Sequence, residues 1–201
     1  MTDDMSPPRQ PFIVGIGGTS RANSSTETAI AIALRKAEAL GARTALIGGG
    51  ALNLPMYEPD VADRSAEAVA LVEQVRRADG LIIGSPGYHC GISGMVKNAL
   101  DYIQDLSDDP SPYLNGRAVG LIATGAGWQG AVLTLSALRT VVHALRGWPT
   151  PLGVPVNTIE RPFDGRGVCT DARLEGQLEI LASEVMDFAL HRGTAAHRRT
   201  S

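Results

Sequence analysis

Short apolar strands, two of them uncharged and ending in glycine, alternate with helix-forming stretches through this chain and limit its fold more than any other feature. Phe12-Ile-Val-Gly-Ile-Gly17 and Gly80-Leu-Ile-Ile-Gly84 carry no polar side chain, the pattern of strands buried on both faces. Arg43 to Ile47, Ala118 to Ala123 and Leu152 to Val156 complete a set of five. The first intervening helix takes Ser24 or Ser25 as N-cap, carries Glu27 in its first turn, and runs to Leu40 before Gly41 supplies a left-handed stop. Ser65 to Ala78, Ile92 to Leu106, Gly130 to Leu145 and Ala172 to His191 read as the other helices. In the last, Leu174, Leu178, Leu181, Val185 and Phe188 fall on one apolar stripe. Strands alternating with helices predict an α/β fold, an open parallel sheet with helices on both faces. In such sheets ligands gather beyond the carboxyl ends of the strands, where the winding reverses. The loops after strands one, three and four are therefore the places to look for chemistry.

The 201 residues suit one domain, expected over 12–191, with a disordered leader over 1–11 and a disordered tail over 192–201. Eighteen Lys and Arg against 21 Asp and Glu leave a net charge of −3, so neither nucleic acid nor an anionic membrane finds a general attraction. Cys90 and Cys169 lie far apart without C-x-x-C spacing or clustered histidines, which points away from a zinc site or a disulfide framework and toward a reduced, cytoplasmic protein. The leader holds Asp3, Asp4 and three prolines where a secretory signal needs positive charge followed by an apolar run.

The first loop, Gly17-Gly-Thr-Ser-Arg-Ala-Asn-Ser-Ser-Thr26, sets hydroxyls, an amide and Arg21 at a helix start. Exposed N–H groups, the hydroxyls of Thr19, Ser20, Ser24, Ser25 and Thr26, and a charge-assisted bond from Arg21 suit a phosphate. A P-loop needs Gly-Lys, which occurs nowhere in the chain. A G-x-G-x-x-G fingerprint starting at Gly15 and Gly17 meets Ser20 at its third position, and no acidic residue closes the second strand. The second loop, Gly84-Ser-Pro-Gly-Tyr-His-Cys-Gly-Ile-Ser-Gly94, has no acidic residue, and none follows before Leu100. Pro86 stiffens its turn, Gly87 and Gly91 admit close backbone approach to a flat ligand, and Tyr88 offers a ring. Lys97 and Asp101, spaced i to i+4, read as a helix-surface pair. The third loop, Thr124-Gly-Ala-Gly-Trp-Gln-Gly130, exposes peptide N–H groups through its glycines.

From Phe12 to about His191 the chain resembles the NADPH-dependent FMN reductase family of flavodoxin-like flavoproteins. The resemblance rests on Gly17-Gly-Thr-Ser-Arg21 and, above all, on Ser85-Pro86-Gly87-Tyr88-His89-Cys90-Gly91-Ile92-Ser93-Gly94 with Lys97-Asn98 and Asp101. It implies a flavodoxin-like, five-stranded parallel sheet of order 2-1-3-4-5. It also implies FMN as cofactor, with Thr19, Ser20, Arg21, Asn23, Ser25 and Thr26 at the phosphate. Pro86, Gly87, Tyr88, His89, Cys90 and Gly91 would frame the isoalloxazine ring, and Thr124, Gly125 and Gly127 would close its other edge. NADPH or NADH would donate hydride, no metal is implied, and the protein need supply no acid or base because the flavin carries the chemistry.

The implied acceptors are free flavin for a flavin-dependent monooxygenase, a quinone, an azo compound or a metal oxyanion. A flavodoxin-type electron carrier without its own substrate is the alternative, although such carriers usually ring the flavin with acidic residues. A homodimer or homotetramer is implied by the resemblance and suggested by the apolar helices Ile92 to Leu106 and Val132 to Leu145. Finally, the long connection Asn157 to Asp171 is either a surface excursion or a functional loop whose Arg161 and Arg166 reach an NADPH phosphate or cover an acceptor.

Overall fold

A parallel sheet forms the middle layer of the protein, seen in a computed structural model that describes residues 10–200, with side chains through Arg192. Strands β1 (Phe12–Gly17), β2 (Arg43–Ile47), β3 (Gly80–Tyr88), β5 (Ala118–Gly125) and β6 (Trp148–Asn157) pair in the order β2-β1-β3-β5-β6. Counted along the parallel path alone, this is the expected 2-1-3-4-5 order. Helices α1 (Ser25–Ala39), α2 (Ala66–Arg77), α3 (Gly94–Asp101), α4 (Trp128–Ala144) and α5 (Ala172–Thr200) connect and close the strands.

The sheet separates two apolar layers. On one side α1 and α5 pack through Ile30, Leu34, Leu178, Leu181 and Val185 against Ile13, Ile82 and Ile122. On the other, α2, α3 and α4 pack through Leu71, Val75, Leu100, Leu138 and Val142 against Val14, Ile16, Leu81, Ile83 and Leu121. The alternation of strand residues between the two layers follows from the two-residue repeat of an extended chain. Of the α5 stripe, Leu174, Leu178, Leu181 and Val185 are buried, while Phe188 is half-buried and leans on Trp148 at 6.1 Å between ring centroids.

The sequence-based elements need correcting in four places. A sixth strand, β4 (Gly91–Ile92), pairs antiparallel with β3, matching Gly87 to Ile92 and Tyr88 to Gly91. It exists because His89 and Cys90 both take positive φ, 50° and 64°, the twist that a two-residue hairpin loop requires. Next, the stretch expected as one helix from Ile92 to Leu106 divides into β4, α3 and a 3₁₀ segment at Tyr102–Leu106, because Ser93 caps α3 by accepting from Val96 N–H at 3.2 Å. Third, β6 begins at Trp148, well before Leu152, with a bulge in its register opposite Val119 and Leu121. Pro149, Pro151 and Pro155 donate no ladder bond, which an edge strand tolerates. Last, α5 continues beyond His191, its expected end, to Thr200, with Gly193 inside the helix instead of stopping it. The expected leader falls, apart from its last two residues, outside the described residues.

The winding reverses between β1 and β3, and there the backbones converge. A Cβ placed on Gly17, whose φ is +143°, would lie 1.9 Å from the Gly84 carbonyl oxygen. Only glycine lets the two strands deliver their loops side by side.

Candidate flavin site

Three loops leave adjacent strand ends, aligned by the pairs Gly17 with Gly84 and Pro86 with Thr124. The first is shaped by its own hydroxyls. Thr19 Oγ1 accepts from Arg21 N–H at 3.2 Å and lies 3.3 Å from the Arg21 carbonyl, so it is spent on the turn. Asn23 takes a left-handed φ of 56°, which asparagine tolerates. Ser24 is the helix cap, accepting from Glu27 N–H at 3.3 Å. Ser20, Arg21 and Asn23 are exposed and Ser25 is half-buried, leaving one guanidinium, one amide and two hydroxyls toward solvent at the start of α1. Arg21 makes no ion pair among the described residues.

Thr26 points elsewhere. It is buried, and its Oγ1 lies 2.6 Å from the Oγ1 of Thr124, also buried. This places both hydroxyls beneath the loops as a tie between the first and third. Glu27 lies in the first turn of α1, as expected. The Ser24 and Glu27 spacing is that of a capping box, yet the carboxylate turns toward Gly18 and Gly48. Its Oε2 is buried without a hydrogen-bond partner there, 3.1 Å from where a Gly48 Cβ would stand.

The second loop is the hairpin of β3 and β4. Ser85 Oγ accepts from Ser93 N–H at 3.0 Å and donates to the Pro86 carbonyl at 2.9 Å, closing the hairpin base. Thr134 of α4 donates to the Gly91 carbonyl at 3.3 Å, and a Cβ on Gly87 would lie 2.5 Å from that Thr134 oxygen. The hairpin is therefore clamped between α3 and α4, with Pro86 buried and Tyr88, His89 and Cys90 exposed at its tip. Tyr88 is 57% exposed, a large ring left facing solvent. In the third loop Gly125 is buried and Gly127 has φ 120° with nothing within 4 Å of an added Cβ. Thr158 Oγ1 donates to the Gly125 carbonyl at 3.1 Å. Trp128 stands 51% exposed beside it.

The expected residues thus come together at one end of the sheet, with Thr26 and Thr124 as internal supports and Thr19 as a turn former. Thr134 and Thr158 escape sequence reasoning, while Ser93 and Asn98 enter it only as motif residues without an assigned role. Asn98 accepts from Tyr57 N–H at 2.8 Å and donates to the Pro55 carbonyl at 2.8 Å, while Tyr102 donates to the same carbonyl at 3.1 Å. Together they hold the segment that follows β2. Lys97 and Asp101 form the exposed ion pair their spacing suggested, at 2.6 Å. Arg161 is exposed, and Arg166 lines a cavity with Asn23, Ser25 and Thr28, on the side of the first loop.

The donor set suits a flavin mononucleotide: its phosphate would find hydroxyl, amide and guanidinium groups in the first loop, and its flat ring would find open glycine backbone between the hairpin and the 125–127 turn. Cys169, by contrast, is half-buried, and burial pushes its thiol pKa up. Among the described residues no three His, Cys, Asp or Glu side chains cluster as metal ligands, and no helix is long and apolar enough to cross a membrane.

The model of the NADPH-dependent FMN reductase family matches residues 11–159, a stretch that contains all three loops. An FMN-dependent NADPH-azoreductase of Staphylococcus aureus is 30% identical over 120 residues, 59% of this chain and 60% of that protein. Its namesake in Staphylococcus haemolyticus is 30% identical over 118 residues, 58% and 59% of the two chains. The chain spans about three fifths of the length of these relatives. Among solved structures, the flavoenzyme NAD(P)H:(acceptor) oxidoreductase FerB of Paracoccus denitrificans superposes with a TM-score of 0.74 at 19% identity, over 89% of this chain and 97% of that one. RosB, solved with a bound 8-demethyl-8-formylriboflavin-5′-phosphate, gives 0.70 at 19%, over 95% and 88%. These two share the fold.

Proposed function

The chain belongs to the NADPH-dependent FMN reductase family, and from that premise we propose that it is an NAD(P)H-dependent flavin oxidoreductase using FMN. The observation that carries this reading is the convergence of a polar anion-binding loop, a clamped hairpin and a glycine turn at the reversal of the sheet. Ser20, Arg21, Asn23 and Ser25 hold the phosphate, with backbone N–H groups at the start of α1. Thr19 and Thr26 shape that loop from within. Pro86, Gly87, Tyr88, His89, Cys90 and Gly91 frame one side of the ring, and Gly125 and Gly127, supported by Thr124, frame the other. Bound FMN supplies hydride acceptance from NADPH or NADH and onward reduction of an acceptor. The protein's share is orientation and exclusion of water.

The acceptor is a small oxidised molecule, and the names of the relatives favour an azo compound, with quinones and free flavin of similar flat shape. A second copy of the chain covers the open side of the site, because Tyr88, Trp128, Val132 and Leu133 leave apolar surface exposed around it. Equilibrium titration tests the reading. FMN should bind saturably at one per chain, and the loaded protein should oxidise NADPH faster when an azo dye or quinone is added. No saturable FMN binding would overturn it.

A further inference from the structure

Two cavities run together along the outer flank of α1. The inner one, about 370 Å³, lies between Asn23 just before the helix, Ser25 and Thr28 on it, and Phe163 to Gly167 on the facing loop. The outer one, about 130 Å³, shares Asn23, Thr28, Arg166 and Gly167 and continues along the helix past Ala31 to Arg35. Thr28, Ala31 and Arg35 fall on one helix face by their spacing.

The facing loop is a built wall. Phe163 bridges to Cys169 as a short antiparallel pair, and Asp164 N–H donates to the Val168 carbonyl at 2.9 Å. Asp164 Oδ1 accepts from the N–H groups of Arg166 at 2.9 Å and Val168 at 2.8 Å. The carboxylate is thereby engaged by the loop's own turn. The Arg166 side chain, 89% exposed, reaches it only through Nε at 3.4 Å. The terminal nitrogens of Arg166 make no hydrogen bond among the described residues, and Arg35 makes no ion pair among them. Glu27 also lines the outer cavity, but its Oε2 is buried toward Gly18 and Gly48.

Asn23 and Ser25, proposed above to hold the flavin phosphate, line one part of this groove, which extends beyond them to Arg166 and Arg35. Resting on the reading of residues 19–26 as the flavin phosphate loop, we propose that the groove between α1 and the 163–169 loop is a second phosphate and nucleoside subsite, so that the site takes the AMP half of FAD as well as FMN. Arg166 and Arg35 offer charge-assisted bonds to the second phosphate. Thr28 supplies a polar partner for a ribose, and Phe163 is the aromatic wall beside it.

Flavin-fluorescence titrations with riboflavin, FMN and FAD on the full chain and on Arg166→Ala and Arg35→Ala test the assignment, both arginines being exposed. FAD should bind at least as tightly as FMN. Arg166→Ala should loosen FAD by about tenfold and FMN by less than about twofold, with Arg35→Ala acting in the same direction. FAD binding more than about tenfold weaker than FMN, or Arg166→Ala leaving FAD unchanged or weakening both flavins equally, would overturn the subsite. FMN binding no tighter than riboflavin would instead remove the phosphate loop beneath it, and the subsite with it.

Discussion

The hydroxyls of Thr26 and Thr124 meet 2.6 Å apart in a buried position, joining the first turn of α1 to the end of β5. Changing either residue alone to valine keeps its shape and strands the other hydroxyl, which should cost about 1 to 3 kcal/mol. Thr26→Val with Thr124→Val together should recover much of that loss. Urea unfolding of the two single variants and the double variant measures it, and strictly additive losses would show that the pair is uncoupled.

Gly17→Ala should fail to give a folded protein, because the added methyl meets the Gly84 carbonyl at 1.9 Å and both atoms belong to paired backbones. Gly127→Ala meets no neighbour and carries only the strain of φ 120°, so it should fold with a loss of about 1 to 3 kcal/mol. Circular dichroism and thermal melting distinguish the two.

If Arg21 bonds the phosphate as proposed, Arg21→Ala should weaken FMN by about 1.5 to 3 kcal/mol and leave riboflavin unchanged. Calorimetric titration of both ligands checks this. An equal loss for riboflavin would place Arg21 at the ring or the ribityl chain.

Asp164 accepts from the N–H groups of Val168 and Arg166, which hold its carboxyl below the usual range. A depressed folded-state pKa means that its contribution is present above the unfolded value, near 3.9, and fades as pH falls through the lower folded value. Wild-type stability should therefore drop below about pH 4 more steeply than that of Asp164→Asn. Denaturant unfolding across that acid range reads the difference in slope, and parallel curves would count against the assignment.

If a second copy covers Trp128, Val132 and Leu133, then Leu133→Glu should shift a dimer toward monomer without unfolding it, because the side chain is 45% exposed in the single chain. Sedimentation velocity at micromolar concentration is the measurement. A wild-type monomer with full NADPH oxidation would remove the proposed interface.

The alternation of strands and helices was legible because it rests on local patterns, uncharged strands such as Phe12 to Gly17 and glycine-rich loops at their ends, whereas the strand order came only with the family resemblance. What stayed hidden depends on partners distant in sequence. Thr26 reads as one more phosphate hydroxyl until Thr124, 98 positions away, is seen to occupy it. The hairpin at β4 was missed because His89 and Cys90 are not the asparagine and glycine that normally announce such a turn. The prolines of β6 masked its first half, since within a strand pattern they usually argue against a strand. The nearness of Arg166 to Asn23 has no local signature at all, as the fold alone brings residues 23 and 166 to one cavity.

Strand β6 forms one margin of the sheet, and Pro149, Pro151 and Pro155 leave three of its ten residues without an N–H to offer. A foreign strand arriving at that margin would find a broken row of donors, so the sheet resists being lengthened there by accretion of other chains. Self-association through continuous β-structure is thereby discouraged on this side. The same prolines guard the chain while it is still incompletely folded, when an unprotected edge is most exposed to aggregation.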